Sequence, residues 1–152
     1  MKNNHPIPQK TERAQSLVEF AISLLLILMI LTGAVEVSLA LFEYVTISNA
    51  AQEGALYGSI YPKSINHAAI RARVVDAAND GLALTDSEIE IGALGSGFCE
   101  KTASGVTNQI RVTIIHPHRI VMPFASSFLG TQIPMTVSAT NTILQPACDP
   151  PP

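Results

Sequence analysis

The chain has 152 residues, enough for about one domain, with a net charge of -3 and charged residues at 14% of the total. That charged fraction is well under the roughly 25% of an ordinary soluble domain. The slightly acidic balance offers no basic face for phosphates, so nucleic acid is excluded as an expected partner.

Residues 1 to 14 are polar and carry Lys2, Lys10 and Arg13 against the single acid Glu12, with Pro6 and Pro8 opposing a helix. From Leu17 to Phe42 the chain is almost wholly apolar, and between Phe20 and Phe42 the only charge is Glu36. As a helix, Phe20 to Phe42 would span ~35 Å, which matches a bilayer core of ~30 Å. The basic tail places the N-terminus in the cytoplasm by the positive-inside rule, and the remainder outside the inner membrane.

No proline interrupts the next stretch, so the helix is expected to run on from about Gln15 to Tyr61. Ala50, Gly54 and Gly58 stand four apart on one face of it, a spacing that lets another backbone come close. A second helix is expected over Ser64 to Leu84, capped by Ser64, with Ile65, Ala68, Ala69, Ala72 and Val75 as its apolar stripe. Asn79, Asp80 and Gly81 mark where it ends.

Beyond this the period becomes two. Ile89, Ile91 and Ala93 alternate with polar residues and glycine, as do Ile110, Val112 and Ile114, and then Ile133, Met135, Val137 and Ala139. These are expected as half-buried antiparallel strands, with an apolar connection from Ile120 to Leu129 able to form a short helix. The fold class is therefore α+β: a long N-terminal transmembrane helix leading into a second helix and a three- to four-stranded antiparallel sheet. The expected boundaries are a leader at 1–14, a transmembrane helix at 15–42, an extracytoplasmic domain at 43–144 and a proline-rich tail at 145–152.

Candidate sites for chemistry are few. His116-Pro117-His118 offers two metal ligands with no third, and is read as a loop at a strand end. The acids Asp76, Asp80, Asp86, Glu88 and Glu90 lack calcium-loop spacing and are read as a solvated face. Gly95-Ser96-Gly97 is too short for a phosphate loop, and no serine stands in a nucleophile elbow. No metal, cofactor, small-molecule substrate or catalytic role is expected. Cys99 and Cys148, both placed outside the cytoplasm, are expected to form a disulfide; closing that loop would contribute ~4 kcal/mol in the chain-entropy model.

The most informative stretch is Arg13-Ala14-Gln15-Ser16-Leu17-Val18-Glu19-Phe20. An acid entering a bilayer costs free energy, ~2.5 to 3.5 kcal/mol at the centre and less near the edge. A cut between Ala14 and Gln15 would create an α-amino group four residues before Glu19, on the same helix face, where the two can pair. A neighbouring subunit's amine could serve equally and set a filament's register. On spacing alone Glu19 could instead sit at the headgroup level of a simple anchor. Glu36, about 26 Å further along, has the same two readings: a packing contact in a bundle, or a marker of the outer membrane surface.

The segment Arg13 to Ser59 resembles the TadE-like family of pseudopilins and minor pilins. The features that carry the likeness are the Arg-(small)-Gln-x-Leu-Val-Glu-Phe entry, Glu36 after Gly33, Phe42 and Tyr44, and Ser48-Asn49-Ala50-Ala51-x-Glu53-Gly54-Ala55. The run Val112 to Ile143 also fits. Ala14 stands where glycine is the commoner residue. The resemblance implies cleavage by a prepilin peptidase at Ala14-Gln15 and an assembly role for Glu19. It further implies a structural, non-enzymatic part in a tight-adherence (Flp, type IVb) pilus serving cell adhesion. The expected partners are other pilins, tight-adherence assembly proteins, the peptidase and the lipid bilayer. The alternative is a secreted or membrane-tethered extracytoplasmic binding domain, with Ser38-Leu39-Ala40 as an ordinary signal-peptidase site.

Overall fold

A computed structural model describes residues 10–60, 67–79, 81–94, 108–122 and 125–144. Cys99 and Cys148, the Gly95–Gly97 loop and the cap Ser64 lie outside the described residues. The chain divides into two compact units, Met1–Ser38 and Leu39–Pro152.

Helix α1 spans Lys10–Ile60 without a break. Its share of the first unit is apolar and uncovered: Leu25 and Ile30, for example, are 66% and 72% exposed. The hydroxyls there donate to their own helix. Thr32 reaches the Leu28 carbonyl at 2.9 Å and Ser38 the Ala34 carbonyl at 2.7 Å. Such bonds satisfy a polar side chain in a medium that offers no water.

In the second unit, α1 buries Ile47, Ala50, Ala51, Gly54, Ala55, Gly58 and Ser59. These recur at intervals of three and four, one stripe of a helix. Helix α2, His67–Ala78, buries Ile70, Val74 and Ala78. This corrects the expected stripe, since Ala68 and Ala72 are exposed. The helix turns so that its branched side chains, which lose more free energy in water than alanine does, meet the small-residue face of α1. It also ends earlier than Leu84. The Gly81 and Leu82 amides donate to the Ala78 carbonyl at 3.1 and 2.9 Å, closing the helix there, and Leu84 is buried in the connection that follows. Gly81 lies under Phe42: a Cβ built on it would come within 2.8 Å of the ring.

A 3-10 turn, Asp86–Glu88, leads into strand β1, Ile89–Leu94. Strand β2 is Gln109–Arg119, and β3 is Gln132–Thr142 after a short helix α3, Ser126–Leu129. The sheet is antiparallel in the order β1-β2-β3. Its inner face carries Ile89, Ile110, Val112, Ile114 and Val137, which close the core over α1 and α2. At the far end the Leu144 amide donates to the Ser59 carbonyl at 3.1 Å, tying the chain after β3 to the last turn of α1.

The expected loop at His116-Pro117-His118 is strand. β1 pairs with β2 only as far as Ile89↔Ile114, whereas β3 continues to Arg119↔Gln132. Pro117 faces Pro134 across the ladder. Neither has an N–H, so the two form a non-hydrogen-bonded pair and their missing donors point outward. For Pro117 that is the side β1 has already vacated, and for Pro134 it is the open edge of the sheet.

Candidate functional site

Three groups of residues bear on function: the N-terminal entry, the small-residue face of α1, and two histidine–carboxylate pairs.

Ala14, Gln15 and Glu19 all lie on α1 and all are exposed. Among the described residues nothing covers them, so the Ala14–Gln15 bond and the Glu19 carboxylate are open to a partner. Glu36 lies two turns before Glu43 on the same helix. It is separated from Glu19 along the apolar run, and the structure does not bring the two acids together.

The small-residue face is occupied within the chain. A Cβ on Gly54 would collide with the Val74 side chain and stand 3.6 Å from Val112 and 3.7 Å from Ile70. A Cβ on Gly58 would collide with Ile110 and lie 3.0 Å from Ile70. Ala50 is fully buried in the same cluster. What comes close to α1 here is a set of branched side chains from α2 and β2.

Sequence reasoning did not find the two polar pairs. The inward face of β2 runs Ile110, Val112, Ile114, His116, His118, so both histidines continue the core side of the strand. The signal was present in the alternation, but the segment read as a loop at the end of the strand. His118 is buried, and its Nδ1 lies 2.7 Å from Oε2 of Glu43 on α1. His116 Nδ1 lies 2.8 Å from Oε1 of Glu88 on the 3-10 turn. An ionised carboxylate only accepts, so Nδ1 is the donor in each pair.

Glu88 also accepts from the Thr85 amide and the Thr85 hydroxyl, both at 2.7 Å. Burial alone would raise its pKa. The Thr85 amide, the Thr85 hydroxyl and His116 together outweigh burial and hold the carboxyl below its usual range. Each histidine is thus engaged by a separate carboxylate. Among the described residues no group of three or more His, Cys, Asp or Glu side chains is placed to hold a metal ion. Asp86 and Glu90 are exposed; Glu88 is not part of a solvated face but a structural acceptor. On the surface, Arg73 of α2 donates to Glu53 of α1 at 2.6 Å.

Among the described residues one helix is long and apolar enough to cross a membrane, with none of its most apolar window buried inside the protein. A core helix of a soluble fold would be covered.

Residues 14–56 match the family model described as TadE-like protein. The match begins at Ala14, runs through the apolar segment and ends within the small-residue face, and so bears out the resemblance read from Arg13 to Ser59. It does not extend to α2 or the sheet. No curated protein and no solved structure gives a significant match to the chain.

Proposed function

We propose that this chain is a minor pilin or pseudopilin of a tight-adherence pilus. The apolar run of α1, to Phe42, anchors it in the inner membrane with the N-terminus cytoplasmic, and the chain from residue 43 is extracytoplasmic. A prepilin peptidase cuts between Ala14 and Gln15, which makes Glu19 the fifth residue of the mature chain. The new amine, on the chain itself or on a neighbouring pilin, then pairs with Glu19 and offsets the cost of carrying that acid into the bilayer. The role is structural: the protein assembles with other pilins and with tight-adherence assembly proteins to serve adhesion.

The observation that carries this reading is the TadE-like match over residues 14–56, which takes in the entry motif and the whole apolar run. The uncovered apolar surface of α1 supports it, because such a surface needs lipid or other helices around it.

The test is the intact mass of the protein purified from membranes, with and without a co-expressed tight-adherence prepilin peptidase. Loss of residues 1–14 only in the presence of the peptidase is the expected result. A soluble product beginning at residue 41 would overturn the proposal in favour of a secreted domain. A full-length mass in both samples would reduce α1 to a plain anchor.

A further inference from the structure

Strand β3 is an edge of the sheet, and the phase of its ladder with β2 fixes which of its main-chain groups point outward. Just beyond the two ends of β3, the Ile120 amide donates to the Thr131 carbonyl at 3.1 Å and the Ile143 amide to the Asn108 carbonyl at 2.9 Å. In an antiparallel ladder such hydrogen-bonded pairs alternate with pairs whose main-chain groups turn away from each other. Counted in from both ends, the even-numbered residues from Gln132 to Thr142 turn theirs to the open edge, in agreement with the Pro117–Pro134 pair. Two of these positions are closed. Pro134 has no N–H and cuts off Gln132 beyond it, and the Thr142 amide donates to Asn141 Oδ1 at 3.1 Å. Past Thr142, the Leu144 amide is held by the Ser59 carbonyl at 3.1 Å. Among the described residues no acceptor meets the amides of Thr136, Ser138 and Thr140, and all three residues are exposed.

Edge strands commonly carry a charge that keeps other strands away. β3 carries none, since no charged residue occurs from Ile120 to Cys148. The other edge is better guarded: β1 bears Glu90, and its Ile89 carbonyl already accepts from Arg71 Nε at 3.4 Å. We propose that β3 pairs with β3 of a second copy of this chain, antiparallel about a two-fold axis at Ser138. In that register Ser138 meets Ser138 of the other copy and Thr136 meets its Thr140, each pair exchanging both main-chain bonds. Pro134 falls opposite Thr142, so the closed positions face each other and every open amide finds a carbonyl. This match of the strand to itself selects a second copy over an unrelated strand, because an isologous contact must be self-complementary. The absence of charge removes like-charge repulsion across the axis. On the outer face the hydroxyls of Thr136, Ser138 and Thr140 form cross-strand pairs. On the inner face Val137 meets Ala139 of the other copy, and the pairing covers Met135 and Ala139, which are only partly buried in the single chain. The pairing goes beyond the assembly role and does not depend on cleavage at Ala14.

The full-length chain is purified in detergent and its protein mass is measured by sedimentation over a range of concentrations. Circular dichroism establishes that each variant keeps the native helix and strand content. The native chain should reach twice the mass of one chain. Ser138→Lys sets two ammonium groups against each other at the axis and should weaken association by about tenfold or more. Thr136→Lys with Thr140→Lys opposes like charges at the flanking pairs and should do the same. Thr136→Glu with Thr140→Lys pairs opposite charges there and should keep the dimer, a difference that arises only if Thr136 lies against Thr140 of the other copy. Amide exchange at Thr136, Ser138 and Thr140 should be slow in the dimer and fast in the double-lysine variant. A native chain that keeps the mass of one chain at every concentration would overturn the proposal. A dimer that survives both lysine variants would overturn it too, by placing the association elsewhere on the chain. Equal dissociation of the two double variants would overturn the register and the proposal with it. Should Ser138→Lys fail to fold, the comparison of the two double variants decides.

Discussion

Glu43 and His118, seventy-five positions apart in the chain, meet at 2.7 Å and tie the helical spine to the sheet at the end of the apolar run. The imidazole is 3% exposed, so its donor has little access to water in place of the carboxylate. Glu43→Ala should therefore destabilise the second unit by ~1 to 3 kcal/mol, the cost of a buried polar group losing its partner. The double variant Glu43→Leu with His118→Leu should recover much of that loss, because both polar groups then leave together. Chemical denaturation of the full chain in detergent, followed by circular dichroism, measures both. A Glu43→Ala variant as stable as the native chain would show that the pair contributes nothing.

Gly54 is the tightest point of the helix packing. Its missing Cβ is the space that Val74 fills. Gly54→Ala forces a stiff, β-branched neighbour aside and should cost ~1 to 3 kcal/mol through overpacking, despite alanine's better helix propensity. Gly92→Ala is the control: nothing lies within 4 Å of a Cβ there, and its effect should be small. The comparison is read from the denaturation midpoints of the two variants.

Glu88 makes stability depend on acid. Its carboxyl is held below the usual range in the folded chain, so the unfolded chain binds the proton more readily. Its contribution is therefore fully present above the ordinary glutamate pKa and is lost as the pH falls through the lower, folded value. Glu88→Gln should flatten the acid limb of a plot of denaturation midpoint against pH between neutrality and strong acid. An acid limb identical in the two proteins would remove Glu88 as its source.

Processing and assembly should separate at Ala14 and Glu19. Ala14→Gly should be cut at least as completely as the native chain, and Ala14→Leu should be left at full length, both read by intact mass. Glu19→Ala should insert into membranes normally but fail to enter filaments or pilin complexes, as read by co-purification. Normal assembly of Glu19→Ala would leave that acid as a headgroup-level residue only.

Much of the architecture was legible from local pattern. A bilayer imposes a length and an apolarity on any helix that crosses it, so the uninterrupted run to Phe42 announced α1 without reference to the rest of the chain. Alternation located β1 and β3, because one face of a strand is buried and the other is not. The small residues Ala50, Gly54 and Gly58 were expected to admit another backbone, and within the chain they meet side chains of α2 and β2 instead; the TadE-like features lay in the same linear stretch. A local pattern gives the period of an element but not its phase or its partners. Ala68 and Ala72 of α2 were expected in the buried stripe but are exposed, because Ile70 and Val74 gain more by filling the space over Gly54 and Gly58; Val75 of the same stripe packs partly against the core. His116-Pro117-His118 read as a loop at the end of β2, yet a strand whose neighbour on one side has ended can carry a residue that donates no hydrogen bond. The pairs Glu43–His118 and Glu88–His116 could emerge only in three dimensions. A buried imidazole must find an acceptor, and which carboxylate reaches it depends on how helix, turn and sheet come together, not on distance along the chain.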